Sequence, residues 1–587
     1  MNGTVRMLIK FILSLITTVA IAGVTGYGIT SIDIMLPCIF ALSMVVYCFA
    51  EKKLASVNRR DICIATILSG IFSLSLVLGA HIDAWDDIIS ELGVMDIAYL
   101  IGLIPFFAGC IILLFNYLDV KKNVTPGGEK GKFLALLTGK GGIYIVGAVI
   151  LIAYLPYVLT LLPGNMGKDT FESIDMCLGY IPWTNHHPIF FTMLIDAVIK
   201  LTAPFGSLTL SMSIFTILHM LAVIATESCV VRRCMEKDTE WGIVTLLFFA
   251  LHPVCPMFAL YLSKDVLFSC ALVMLVMTLS DLDGGNSVKG IVRLAVCALM
   301  TMLLRNNGLL IVAVLAVVLP LVYRKNWKKA LMATLIPIAI FMGFRTVSYS
   351  LLDIEPESFA ESASIPLQQV GYVLANSDTS KIAEEDLEFL DRIMPVSRVK
   401  EVYDLGYTDE YKFDASFDDE FFNAHSGEFM GVWLRMLPEY FPEYVMSYLG
   451  QTLGYWHYGE TNTLCTQGVW EDNTVAVERI DVLDELLGFS LYSVIEKLML
   501  GVRKAPLLNI LTSMAMQFMA LLLLGGLYIR KRNYSRLVVI LPLLVLWVSI
   551  MIATPAFCLF RYTYPLFMLW PFTAMEIMGI KVMRVKS

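Results

Sequence analysis

The feature that most limits this chain is the recurrence of apolar runs of roughly 15–24 residues, most of them long enough to cross ~30 Å of hydrocarbon as a helix and the shorter ones subject to boundaries that pattern alone leaves adrift by several residues. Such runs fall at 7–28, 33–50, 61–80, 98–118, 142–162, 207–230, 240–258, 263–280, 290–304, 308–323, 328–350, 507–529, 536–553 and 561–583. Only 16% of the 587 residues are charged while 57% are hydrophobic, and soluble domains carry nearer a quarter charged. The expected fold class is therefore an all-α polytopic membrane protein with about fourteen transmembrane helices. The first run has no clear small-x-small cleavage site and reads as a span. Twelve cysteines lie mostly inside apolar runs with no C-x-x-C pair, as small buried hydrophobes. Cys177 and Cys465 fall in polar regions, where a bridge between them stays open.

Charge between the runs orients the chain. Basic connections hold Lys52, Lys53, Arg59 and Arg60, then Lys121, Lys122, Lys130 and Lys132, then Arg232 and Arg233. Further along come Arg324, Lys325, Lys328 and Lys329, then Arg530, Lys531, Arg532 and Arg536, and the tail Lys581, Arg584 and Lys586. The positive-inside bias puts all of these in the cytoplasm, provided the stretch Pro188 to Pro204 does not cross. That stretch is short and carries Asp196 and Lys200, so it reads as an interfacial or re-entrant helix. Both termini are then cytoplasmic. From Asp353 to Leu500 there are 29 acidic against 8 basic side chains, in an aromatic-bearing segment expected to be a small α-rich exofacial domain with helices near 383–404 and 425–453. The expected divisions are an N-terminal four-helix region 1–120, a transmembrane core 121–352 with its first outer loop at 163–206, an exofacial domain 353–505 and a C-terminal three-helix region 506–587.

Polar residues then gather at the outer ends of separate runs. In "NMGKDTFESIDMCLGYIPWTNHHP" the residues Lys168 to Leu178 suit a short helix with Asp169 and Glu172 on one face, either a solvated juxtamembrane helix or part of a site. His186 and His187 precede Pro188 as a helix start; adjacent imidazoles diverge and no third ligand is spaced for them, so no metal site is assigned. "YLSKDVLF" sets Lys264 and Asp265 at a helix end, as a self-satisfied pair or as binding groups. "MLLRNNGLLI" interrupts an apolar stretch, and its Arg305 and Asn307 sit where charge is costly unless it faces a cavity or a partner. "ATPAFCLFRYTYP" supplies Arg561 and Tyr562, an aromatic belt with a cation or part of a cleft. Tyr455, Trp456, His457 and Tyr458 suit either a membrane interface or stacking on sugar rings, with the interface favoured. A carboxylate among several cations suits a phosphate-bearing lipid substrate, the cations binding phosphate and the carboxylate acting as base.

"PGNMGKDTFESIDMCLGY…NHHPIFFTML", "LSKDVLF", "LLRNNGLL", "SIPLQQVGYVL", "FPEYVMSYLGQTLGYW" and "RYTYPLFMLWP" together resemble the GT-C superfamily of membrane glycosyltransferases. More closely, they resemble a bacterial family of GT-C-like polytopic membrane proteins. The resemblance implies sugar transfer from a polyprenyl-phosphate donor to a glycan, lipid or protein acceptor on the outer face of the cell membrane, with no nucleic acid involved. It implies Asp169 as general base, with Glu172 or Asp175 as the second first-loop acid. Lys264, Arg305 and Arg561 would contact the donor phosphate, while Lys168, His186, His187, Asp265, Asn307 and Tyr562 would line the cleft. Members differ in using a divalent metal (Mg or Mn); Asp169 with Asp265 could bind one, though the sequence shows no dedicated oxygen-rich cage. A transporter or flippase of a polyprenyl-linked saccharide is the alternative; it calls for ionisable groups near the bilayer midplane and for repeats.

Overall fold

The computed structural model describes residues 3–26, 34–54, 57–120, 136–139, 141–282, 288–458, 480 and 490–579. Cys465, residues 459–462 of the aromatic stretch, the basic group Lys121 to Lys132 and the tail cations lie outside the described residues. The chain opens with α1 (Gly3–Val24), α2 (Met35–Leu54), α3 (Arg59–Gly79) and α4 (Val94–Val120). A small antiparallel hairpin, β1 (Ile82–Asp83) and β2 (Ile88–Ile89), joins the last two. The central bundle follows: α5 (Gly142–Leu161), α6 (Lys168–Leu178), α7 (Ile189–Thr202), α8 (Leu208–Lys237), α9 (Thr239–Leu251), α10 (Val254–Ala259) and α11 (Lys264–Asp281). It ends with α12 (Val288–Leu304), α13 (Asn307–Val322) and α14 (Trp327–Leu352).

Eight helical stretches among the described residues are long and apolar enough to cross a membrane: α1 to α5, α8, Arg324–Leu352 and Tyr534–Ala553. Together with the near absence of sheet, they make this an all-α membrane protein. Their outward side chains include Ile67, Ile152, Leu218 and Ile552, all exposed, as a lipid-facing surface requires. At 14 residues and ~1.5 Å per residue, α7 reaches only ~21 Å and packs on α6 and α8. The apolar run 240–258 is divided into α9 and α10 at His252–Pro253, because proline disfavours a helical residue before it. The run 561–583 is likewise broken into α27 (Tyr564–Met568) and α28 (Trp570–Ile577), each with a proline in its first turn, and its end lies outside the described residues.

Between α14 and the C-terminal helices, eight short helices close around a core of their own. They are α15 (Phe359–Ser362), α16 (Ser364–Asn376), α17 (Glu384–Ile393), α18 (Val396–Val402), α19 (Asp409–Lys412), α20 (Asp419–Ala424), α21 (Ser426–Met436) and α22 (Phe441–Gln451). Leu367, Val370, Leu390, Phe422, Phe429 and Tyr444 are buried at its centre. This segment docks on the turn before α27: Thr408 N donates to Pro555 O (2.9 Å), Phe557 N to Gly406 O (2.9 Å) and Gln451 Nε2 to Thr554 O (2.8 Å). Gly406 is required there, since a Cβ would lie 2.5 Å from the Phe557 ring. Two residues of the expected aromatic motif, Tyr455 and His457, belong to the core of this junction. Tyr455 is fully buried and donates to Ala556 O (3.0 Å), while His457 Nδ1 meets Ser75 O (3.0 Å).

The chain closes with α23 (Tyr492–Lys504), α24 (Pro506–Thr512), α25 (Met514–Arg530) and α26 (Leu537–Ala553) before α27 and α28. The first four helices join the rest through α3 and α25, where Gly526 brings the backbones close and a Cβ would sit 3.0 Å from Ile64. Arg530 locks that contact by pairing with Asp61 (2.9 Å) and Asp119 (2.5 Å).

Candidate functional site

Where α5 ends, Gly164 takes φ 139° with no room for a side chain, as a Cβ would lie 2.5 Å from Thr216 Oγ1. The next residues then pair with the approach to α11: Asn165 N donates to Leu260 O (2.8 Å) and Leu262 N to Asn165 O (2.9 Å). Thr170 Oγ1 adds a bond to Leu262 O (2.5 Å). Phe171 and Ile174 sink into a small core with Phe191, Ile195, Met212 and Phe215, which leaves the other face of α6 to carry Asp169 and Glu172. The short helix is thus stapled at its start and buried along one side, and Gly179 caps its end in the left-handed region (φ 78°).

On this frame six charged side chains form one alternating chain. Glu172 Oε2 lies 2.9 Å from His187 Nε2, and His187 Nδ1 accepts from Lys264 Nζ (2.5 Å). Lys264 Nζ is 3.2 Å from Asp169 Oδ2, and the same oxygen accepts from Arg561 Nη1 (3.2 Å). Arg561 Nε stands 3.5 Å from Asp265 Oδ2, and Asp265 Oδ1 is 2.8 Å from Arg305 Nη1. Three carboxylates and three fixed cations balance. Asp265 has no exposed side-chain surface, so losing either guanidinium would leave a buried carboxylate with a single cation beside it. Its two oxygens nevertheless meet no well-aligned N–H, so these are ion pairs rather than directional hydrogen bonds. Tyr562 offers its ring face to Arg305, 4.0 Å from its centre.

Burial opposes the charge on Asp169, but Arg561 and Lys264 outweigh it and hold the carboxyl well below the usual carboxylate range. The Glu172 carboxyl is also lowered: burial works against ionisation, and the His187 hydrogen bond overcomes it. Burial and the neighbouring His187 push the His186 imidazole down to about 4, so it is neutral at physiological pH.

Asp169, Glu172, His187, Lys264, Asp265, Arg305, Arg561 and Tyr562 are therefore brought together. His186 lies beside His187, ring centres 4.5 Å apart with their planes tilted by 54°, and turns toward Glu361 Oε1 (3.8 Å). Lys168 points elsewhere, over the Phe413 ring at 5.2 Å. Asn307 joins none of these contacts; its amide donates to Ser549 Oγ (3.2 Å) and ties α13 to α26. Tyr261, whose hydroxyl receives Arg561 Nη1 (3.3 Å), went unremarked in the sequence although it lies three residues before Lys264. Glu357 and Glu361 were also missed, since nothing separates them from the other acids of their segment.

Asp169 and Asp265 do not form an oxygen cage for Mg or Mn, because each carboxylate is already neutralised by ion pairs with Lys or Arg. The histidine pair does find a third donor, contrary to the sequence expectation. Ligand atoms of Glu172, His186 and His187 lie within 4.8 Å of one another, as do those of His186, Glu357 and Glu361. The third donor was invisible because it comes from α6, brought alongside only by packing.

Fold and site define an all-α membrane protein with a closed polar cluster at one end of its helices. Residues 181–585 match the model of a family of unknown function, DUF6020, and the chain belongs to that family. No curated protein and no solved structure matches the chain.

Proposed function

We propose that the chain is an integral membrane glycosyltransferase with a GT-C-like core, moving a sugar from a polyprenyl-phosphate donor to a glycan, lipid or protein of the cell envelope. The observation that carries this reading is Asp169 set between two cations, with Lys264 and Arg561 each 3.2 Å from one carboxylate oxygen. In such a reaction the acceptor hydroxyl gives its proton to a carboxylate, its oxygen forms a new bond to the sugar C1, the C1–O bond to phosphate breaks, and the phosphate leaves with the electron pair. Lys264, Arg561 and Arg305 suit stabilisation of that leaving charge. With both cations on it Asp169 is a weak base. A phosphate that draws Lys264 and Arg561 away would raise its basicity as the substrate arrives.

On this reading about fourteen spans cross the plasma membrane, both termini are cytoplasmic and 353–505 is exofacial, roofing the first outer loop at 163–206. The transmembrane core is 121–352, flanked by 1–120 and 506–587. The test is mass spectrometry of envelope glycans and lipids from cells lacking the protein, carrying it, or carrying Asp169→Asn. Loss of one sugar-sized increment in both the null and the Asn variant, with membrane insertion unchanged, is the expected result. A fully active Asn variant removes Asp169 from the mechanism.

One observation favours the transporter alternative. Glu227 in α8 is fully buried, its carboxyl oxygens receiving, among the described residues, Tyr154 OH (2.8 and 3.0 Å), and ionisable groups buried within a span commonly mark transport paths. In the same experiment, accumulation of a complete lipid-linked saccharide in the null, with Asp169→Asn behaving as wild type, supports that reading.

A further inference from the structure

We propose that Glu172, His186 and His187 bind one divalent transition-metal ion of the zinc class, fastening α6 to the turn that precedes α7. Their ligand atoms already lie within 4.8 Å of one another, and the closest pair, Glu172 Oε2 and His187 Nε2, is 2.9 Å apart. Tetrahedral zinc with bonds of about 2.0–2.2 Å spaces its ligands by ~3.3 Å, so loading the site needs shifts of the order of a rotamer adjustment. Two imidazoles with one carboxylate select borderline ions over Mg, which takes an all-oxygen shell. Three protein ligands leave a fourth position for water or a substrate oxygen.

The surroundings fit the same assignment. Glu361 Oε1 lies 3.8 Å from His186 Nδ1, a small shift short of the hydrogen bond by which a carboxylate holds the second ring nitrogen of a liganding histidine. Lys412, itself buried, grips the other oxygen of Glu361 at 2.9 Å and so fixes its orientation. Glu357 stands close to His186 and Glu361, a further carboxyl at the edge of the site. Lys264 is the opposing group. It donates to His187 Nδ1, whereas an ion on Nε2 requires the ring proton at Nδ1. Loading the site therefore turns Lys264 wholly onto Asp169, 3.2 Å away.

This inference goes beyond the transferase reading, and its readout is bound metal, so the two can fail separately. Full-length protein in detergent is stripped with a chelator, equilibrated with Zn²⁺, Mn²⁺ and Mg²⁺ together, freed of excess ion and measured by inductively coupled plasma mass spectrometry. The expected result is about one zinc per chain. His186→Ala and His187→Ala should fall below about a tenth of that, and Glu361→Gln should bind about 10–100-fold more weakly. His187 is buried and its variant can misfold; His186 is partly exposed, so a monodisperse His186→Ala protein decides the matter. Wild-type protein without metal, preference for Mg²⁺, or unchanged zinc in monodisperse His186→Ala overturns the assignment.

Discussion

At the scale of single residues, the polar cluster shows how a membrane protein keeps charge beside apolar helices: it alternates signs. Asp169 and Asp265 each touch two cations, and Arg561 serves both. Asp404 shows the opposite case. Burial and the nearby Asp87 charge push its carboxyl up to about 6, despite bonds from Gly406 N (2.7 Å) and Tyr407 N (2.9 Å). A carboxyl raised in the folded state adds stability fully present below its unfolded pKa, and loses it as pH rises through the folded value. Stability measured by thermal unfolding in detergent should therefore fall between about pH 4 and 6 from this group, and Asp404→Asn should flatten that slope. With the group half-exposed, a gain of about 1 kcal/mol at pH 7 is expected for the variant. An unchanged slope assigns the pH dependence elsewhere.

Among the elements, α6 was legible and α27 was not, for physical reasons that differ. Lys168 to Leu178 alternates polar and apolar faces and ends on a glycine able to take φ 78°, so local pattern and local structure agree. The final apolar run looks continuous by hydropathy, yet two prolines divide it, because hydropathy counts transfer energy and is blind to backbone hydrogen bonds. The docking of the 353–458 segment on the bundle depends on backbone proximity at Gly406. Gly406→Ala forces its Cβ against the buried Phe557 ring and should cost about 1–3 kcal/mol. Limited proteolysis should then cut within 353–458 several-fold faster than in wild type. Equal rates would mean that the contact yields without loss.

For the whole molecule, the proposed topology turns on α7 not crossing, and its 14 residues on a buried face of α8 suit that role. An accessibility tag near residue 380, between α16 and α17, should label in intact cells. Labelling only after permeabilisation would invert the topology and put the polar cluster on the cytoplasmic side.

The sequence by itself determined the membrane class, the long spans and the charged motifs that line the site. These follow from composition and from periods of a few residues, which act locally. Only the tertiary structure decided which of those motifs meet. Asp169 and Arg561 are 392 residues apart in the chain and 3.2 Å apart in space, while Asn307, two residues from Arg305, turns to a different partner. Tyr455 and His457 became core where an interface was expected, and Glu172 became the third donor beside two histidines. Long-range pairing depends on how helices pack against one another, and no local pattern records it.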